Sequence, residues 1–494
     1  MMLLTKSDYI LYGECHKNAW MKIHKPEIYH KSELSEFEKS IIETGNEVEL
    51  LARKLFPSGI LIKGRDEKAQ KDTQDFLSAK KSILFQPIFA RDGYLAAADI
   101  LERDESGGYI IYEVKATSEI KEKIHFYDLA FQVNLLKRFD LKINKIKIIH
   151  LNSKHIRSGD LDLQKLFLID DVTKEVTELL NDVSAEMEVA LDYLSKDSEP
   201  KGACCCICKG RSKHCATFSH SNPDVPEYSI HDIARIGNSK KKLEELIDNN
   251  IFHIHEIPEG FGLSDIQRNQ AEAHIYDKVL IEGELIAKEL EKLVFPLYFL
   301  DYETFPSAIP RFDGYSPYQQ IPFQYSLHVL KSPQDKPEHL DFLHIEPGDP
   351  SKPLAESLQK NIGESGSVIV WNKKFECKIN KEIGERFPEF KIFMDSVNHR
   401  VYDLMGIFSK QYYVHKHFHG STSIKCVLPA LVPDLTYKDL HIQEGGTASQ
   451  SWNKITASSI SKEEKNKIAK DLLDYCELDT YAMYAIWKHL QELI

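Results

Sequence analysis

The sequence predicts an α/β protein of two units joined by a short helical connector. Three observations predict it. Apolar runs of strand length alternate with stretches of helical periodicity in both halves of the chain. Each half carries acidic residues at the ends of such runs, and a stretch of short helical patterns separates the halves.

In the first unit, residues 1–220, helical spacing covers Leu34 to Phe56 and stops at Pro57, Ser58 and Gly59, residues that end helices. Strand patterns follow at Ile83 to Phe85, Ala96 to Leu101, Tyr109 to Val114 and Ile143 to Leu151. A helix from His125 to Phe139 lies between the last two and predicts a crossover connection. Residues 221–292 read as helices at Ile230 to Ile236, Lys240 to Ile247 and Ser264 to Leu293, and residues 236–258 resemble a helix-hairpin-helix-like module. The last unit, 293–494, opens with a strand at Leu293 to Leu300, has further strands at Gln324 to Leu330 and Val368 to Trp371, and closes with a helix at Lys465 to Leu490.

The 494 residues are more than one core of roughly 100–200 residues organises, which implies two or three domains. With 42% hydrophobic and 28% charged residues the chain has a globular balance, so extended disorder is excluded. No apolar run reaches the roughly 18 residues of a membrane helix, and no GxxxxGK phosphate loop is present. Without the apolar stretch of a signal peptide at its start, the chain is expected in the cytoplasm, with no membrane partner. A net charge of −13 argues against a protein that coats nucleic acid non-specifically, though not against one that holds cations at a nucleic-acid-cutting site.

The segment AAADILERDESGGYIIYEVKATSE sets Asp99 in one strand and Glu113 and Lys115 at the end of the next, where period two puts the latter pair on one face. Two carboxylates can hold a magnesium or manganese ion that offsets charge on phosphodiester oxygens, and an adjacent lysine can orient the attacking water. With Gln132 on the following helix, these residues resemble the PD-(D/E)XK nuclease superfamily, which has a restriction-endonuclease-like fold, and its RecB-type branch in particular. The resemblance implies that Asp99 and Glu113 bind metal, that Lys115 acts on water and that Gln132 supports the site. That branch often has a histidine after Gly-x-x-Val, where this chain has Glu49 after Gly45-Asn46-Glu47-Val48, so Glu49 is the expected ligand there.

Nine cysteines include the run Cys204, Cys205, Cys206 and Cys208, followed by Cys215. In a cytoplasmic chain such clustering signals metal more often than disulfides. Cys15, Cys205, Cys208 and Cys215 form a one-distant, three-close set of the kind that holds a [4Fe-4S] cluster, with Cys204 or Cys206 as substitutes for Cys205 and structural zinc as the alternative cofactor. The layout resembles the RecB-type nucleases of the AddB and CRISPR-associated iron-sulfur families.

In the C-terminal unit Asp301 and Glu303 lie two apart at a strand end, Glu376 follows a strand in VIVWNKKFECKI, and Tyr475 and Asp479 are four apart on a helix. These residues resemble the D-x-E, N-x-x-F-D and Y-x-x-x-D motifs of the DEDD exonucleases, in the ribonuclease H-like superfamily. The resemblance implies that Asp301, Glu303, Glu376 and Asp479 hold two divalent ions and that Tyr475 positions the nucleophilic water. Glu376 departs from the family's aspartate by one methylene. Ser421 to Lys425, with Lys416, are candidate phosphate contacts.

Taken whole, the chain resembles a bacterial family that fuses a RecB-type domain to a DEDD-like domain. The expectation is a metal-dependent nuclease acting on DNA, most readily at single-stranded ends, with RNA not excluded as substrate. The alternative expectation is a noncatalytic nucleic-acid-binding or scaffold protein with a structural metal cluster and decayed sites.

Overall fold

A computed structural model describes residues 2–29, 36–457 and 460–494. It is a mixed α/β structure in two compact units. One comprises residues 1–207, 212–223 and 308–319, and the other residues 208–211, 224–307 and 320–494. The helical segment after residue 224 therefore counts with the second unit instead of standing apart as a connector.

The strands of the first unit are β1 (Leu4–Thr5), β2 (Ile60–Leu61), β3 (Ile83–Phe85), β4 (Ile88–Arg91), β5 (Tyr94–Ala97), β6 (Ile100–Arg103), β7 (Tyr109–Lys115), β8 (Ile143–Leu151) and β9 (Phe167–Asp171). Six of them form a sheet in the order β2-β3-β6-β7-β8-β9, and β1-β5-β4 form a second, smaller sheet. The β7 and β8 strands are parallel, joined by the helix Glu122–Lys137, as a crossover requires. Alternation then divides the core. Tyr112 and Ile149 pack with Val48 and Ala52 of the helix Glu36–Arg53 on one face, while Ile111 and Ile148 pack with the helices Glu122–Lys137 and Thr173–Leu194 on the other.

Two expectations for this unit change. The strand expected from Ala96 to Leu101 is two strands in two different sheets, and Asp99 lies in the break between β5 and β6. The helix expected from Leu34 to Phe56 spans Glu36–Arg53, and residues 34 and 35 of its expected start lie outside the described residues.

In the second unit β10 (Leu280–Ile281), β11 (Leu297–Pro306), β12 (Gln320–Leu330), β13 (Glu338–Leu343), β14 (Ser367–Val370), β15 (Val401–Asp403) and β16 (Tyr413–Val414) are the strands. The main sheet runs β13-β12-β11-β14-β15, and β10 pairs with β16. Within the main sheet β12 is antiparallel to both neighbours, while β11, β14 and β15 are mutually parallel. Tyr298, Leu300, Tyr325, Leu327 and Val368 face an apolar core with the helices Ser351–Asn361, Lys373–Arg386 and Lys391–His399. The opposite face lies under the 31-residue helix Lys462–Glu492 and the helix Gly445–Ala457, where Phe299 meets Trp487 and Phe323 stacks on Trp452.

The helix expected from Ser264 to Leu293 is instead two helices, Asp265–Ile275 and Gly283–Leu290, with β10 between them. A capping box of Ser264 and Gln267 starts the first, and Asp277 follows its end at φ +51, a left-handed turn that breaks helical continuity. Within residues 236–258, the segment expected to form a helix-hairpin-helix-like module, the helix Lys240–Asp248 is flanked by short 3-10 turns at Ile236–Asn238 and Ile254–Glu256. Among the described residues no helix is long and apolar enough to cross a membrane.

Candidate functional site

A set of acidic groups lies in the second unit, on the sheet face beneath the C-terminal helix. Two-residue alternation sends Asp301 and Glu303 of β11 to that face, and the register opposite them on β12 is Ser326 and Gln324. A β-bulge falls immediately after Glu303, a device that ends regular pairing and re-aims side chains next to sites. The strand order also reverses here, since β11 leads to β12 on one side and lies against parallel β14 on the other. Open α/β sheets bind ligands at such a switch point, beyond the carboxyl ends of the strands. The helix that follows β14 starts after Asn372, at its N-cap position without a side-chain capping bond, and carries Glu376 in its first turn, buried. Asp479 and Tyr475 come from one face of the C-terminal helix, both buried.

The electrostatics record the convergence. Burial pushes the Asp301 carboxyl well above its ordinary value, and the charges of Asp479, Glu303 and Glu376 push it further. Burial and Asp479 do the same to Glu303, against the opposing charge of Lys425. Burial raises Glu376 to about 8, and its Oε2 is enclosed without a hydrogen-bond partner. Asp479 is raised to about 6 by burial, opposed by Tyr437, Lys425 and Tyr475. Tyr437 donates its hydroxyl to Asp479 Oδ1 at 2.7 Å, and Lys425 Nζ lies 5.6 and 5.3 Å from the ring centres of Tyr437 and Tyr475.

The half-buried Asp301 and the buried Glu303 bring oxygens within 4.8 Å of one another, a start for a hard divalent cation site, while the buried Glu376 and Asp479 add negative charge around them without their oxygens joining that close group. The Cys476 thiol also lies within 4.8 Å of the Asp301 and Glu303 oxygens. Burial and those acids raise its pKa, so it stays a neutral thiol and leaves the cation to the oxygens.

In the first unit Asp99, Glu113, Lys115 and Gln132 also assemble, in a tightly paired form. Glu113 Oε1 accepts from Lys6 Nζ at 2.7 Å and from Lys115 Nζ at 2.8 Å, and its Oε2 accepts from Gln132 Nε2 at 2.7 Å. Burial alone would raise this carboxyl, but Lys115 and Lys6 outweigh burial and hold it below the usual range. Asp128 accepts from Lys115 at 2.7 Å and from Gln132 at 2.9 Å. Asp99 accepts from the Val114 amide at 2.8 Å and shares the Gln86 amide with Glu49, at 3.0 and 2.6 Å. Burial and Glu113 raise its carboxyl to about 7, with Lys6 opposing. Glu49, besides Gln86, is bound by Arg53.

A cavity of about 540 Å³ beside this cluster is lined by Glu49 and Asp99 together with Lys6, Lys22 and Arg65, and not by Glu113 or Lys115. Its mixture of carboxylates and cations suits a phosphate held beside a metal ion. Here, however, Lys6 already neutralises Glu113, and Asp99 and Glu113 are not among the described groups whose potential ligand atoms cluster within 4.8 Å.

The cysteines assemble differently from the expected set. Cys15 and Cys215 are joined by Cys204 and Cys206, not by Cys205 and Cys208, with ligand atoms within 4.8 Å of one another. Cys205 is exposed and Cys208 half-buried. Cys206 lies within the tight 3-10 turn Cys205–Cys208, while the exposed Cys205 interacts with Cys15 and Cys206 without joining the close group. Cys15 sits in extended conformation between two helices. Sulfur separations are 3.9 Å for Cys15 to Cys215 and 3.8 Å for Cys204 to Cys215. Four thiolates about 2.3 Å from one tetrahedral ion would be about 3.8 Å apart, a spacing that these two pairs match. Asn222 donates to Cys204 Sγ at 3.3 Å, the kind of support that orients ligands.

Sequence reasoning missed Lys6, Gln86, Asp128 and Tyr437. Asp128 alone carried a signal, its four-residue spacing from Gln132 on one helix face.

Residues 298–423 match the family model described as "Domain of unknown function (DUF2779)", a stretch that includes Asp301, Glu303 and Glu376 and stops short of Asp479. The chain is similar to "Uncharacterized protein MG366" of Mycoplasma genitalium, at 29% identity over 87% of this chain and 81% of that protein. It is also similar to "Uncharacterized protein MG366 homolog" of Mycoplasma pneumoniae, at 26% identity over 44% of this chain and 35% of that protein.

Proposed function

We propose that the chain is a cytoplasmic, metal-dependent nuclease that hydrolyses phosphodiester bonds of DNA, preferentially at single-stranded ends. The observation that carries the reading is the gathering of acidic charge around Asp301, from Glu303 on the same strand, Glu376 in the first turn of the next helix and Asp479 on the C-terminal helix. Magnesium or manganese held there would offset charge on the phosphodiester oxygens and acidify the attacking water. Tyr475, whose hydroxyl bonds Asp479, would orient that water, and Lys425, over the Tyr475 ring, would meet a backbone phosphate. The sheet order, with β11 central and β12 its antiparallel neighbour, supports the ribonuclease H-like likeness.

The Asp99, Glu113 and Lys115 cluster is the second nuclease centre of this reading, on a RecB-type PD-(D/E)XK fold. For it to take a cation, Lys6 must move from Glu113 toward the cavity, where Lys22 and Arg65 also meet the phosphate backbone. The cysteine quartet ties the start of the chain to residues 204–215, as a structural centre for one tetrahedral ion.

End-labelled single-stranded DNA, duplex DNA and RNA, incubated with magnesium or manganese, test the reading. Asp301→Ala should lower cleavage by about 10²–10³-fold if the acidic group of the second unit is the working centre, since metal chemistry supplies several kcal/mol. Asp99→Ala reads the first centre in the same way. A folded wild-type protein that cuts none of these substrates with either ion would leave the nucleic-acid-binding scaffold reading in its place.

A further inference from the structure

We propose that His328, His339 and Glu477 form a binding site for a zinc-class transition-metal ion, separate from the acidic groups around Asp301 and from the cysteine quartet. One ligand atom from each of the three side chains lies within 4.8 Å of the others. His328 and His339 are direct cross-strand partners on β12 and β13, their rings stacked with centres 4.6 Å apart. Glu477 reaches them from the C-terminal helix, its Oε1 3.7 Å from His339 Nδ1. Ligand atoms around one zinc ion at about 2.0–2.1 Å would be about 3.3 Å apart, close to the 3.7 Å between His339 Nδ1 and Glu477 Oε1.

The surroundings are those of a ligand set. A metal-binding imidazole has its other nitrogen held by a hydrogen bond. Thr480 Oγ1 lies 2.8 Å from His328 Nδ1, and Ser326 Oγ lies 3.0 Å from His339 Nε2, so each ring has one nitrogen held and its other nitrogen left for an ion. The two hydroxyls bond to each other at 2.6 Å, so both rings are fixed by one buried network. Burial and His339 hold the His328 imidazole neutral, which is its ligating form. Two imidazoles and one carboxylate favour zinc, cobalt or nickel over magnesium. Because Glu477 is exposed, solvent can complete the coordination. An ion there would pin the edge strand β13 to the helix that carries Tyr475 and Asp479, and the inference stands whether or not that helix serves a nuclease.

Full-length protein stripped with a chelator is titrated with zinc by calorimetry and with cobalt by visible absorption. Cobalt bound by nitrogen and oxygen alone lacks the thiolate charge-transfer band of the cysteine quartet, so the two sites are read separately. Wild-type protein should bind one more zinc equivalent than His339→Ala. Glu477→Gln, an exposed change that spares the fold, should bind that equivalent more than about tenfold more weakly. The thiolate band should be the same in all three proteins. Equal zinc stoichiometry and affinity in wild type and Glu477→Gln would overturn the site and leave the three residues as a hydrogen-bonded pair of imidazoles beside a carboxylate.

Discussion

The Tyr437 hydroxyl donates to Asp479, and the bond stabilises the charged carboxylate against the burial that favours its proton. Removing the hydroxyl in Tyr437→Phe therefore raises the Asp479 pKa from its value of about 6. A cation binds the ionised acid, so the acid limb of metal-dependent cleavage should move to higher pH. At pH 6 the loss should be about three- to tenfold, the worth of one hydrogen bond to a charged group, and above pH 8 it should be small. Rate profiles over pH check this. A loss equal at every pH would assign Tyr437 a role other than tuning Asp479. Such a residue could not be read from sequence, because it stands 42 positions from its partner with no spacing that links them. Asp301 and Glu303 were legible because strand alternation fixes where neighbours two apart must point.

At the level of elements, periodicity located β3, β8 and the C-terminal helix well, since each is a long or strongly apolar segment whose packing agrees with its pattern. It failed where one apolar run serves two sheets, as in β5 and β6, because the change of sheet leaves no trace in hydropathy. The cysteine run failed for a related reason. Spacing names candidates, whereas the fold decides which four sulfurs come within 4.8 Å of one another. This makes the quartet testable. Cys206→Ser should release the bound ion and lower the melting temperature, while Cys205→Ser should retain it, as read by metal analysis of the purified proteins. Colourless protein with zinc is expected from the sulfur spacing of 3.8 and 3.9 Å. Brown protein with about four irons would overturn the single-ion assignment and return the [4Fe-4S] centre.

Across the whole molecule the raised carboxyls act together on stability. Glu376 moves from 4.5 to about 8, Asp99 from 3.8 to about 7 and Asp479 from 3.8 to about 6, and Asp301 and Glu303 are also raised. The folded chain therefore holds protons at these sites that the unfolded chain has released, and stability falls as pH rises from the ordinary carboxyl range through about 8. Glu113 has the opposite sign, and the stability it contributes is present above its unfolded value and lost only in acid. Lys425 and Lys6 offset part of the excess charge in the two clusters without removing it. Magnesium, which passes over imidazole and thiol ligands for oxygens, should bind the ionised acids and reverse the loss. Its effect on the melting temperature should consequently be small at pH 5 and grow toward pH 8, with binding adding stability in proportion to the logarithm of occupancy. Asp301→Asn should flatten both trends, because it removes one of the mutually repelling charges and one ligand in a single change. Thermal melts with and without magnesium across that range decide the matter, and an ion effect independent of pH would mean that these acids do not hold it.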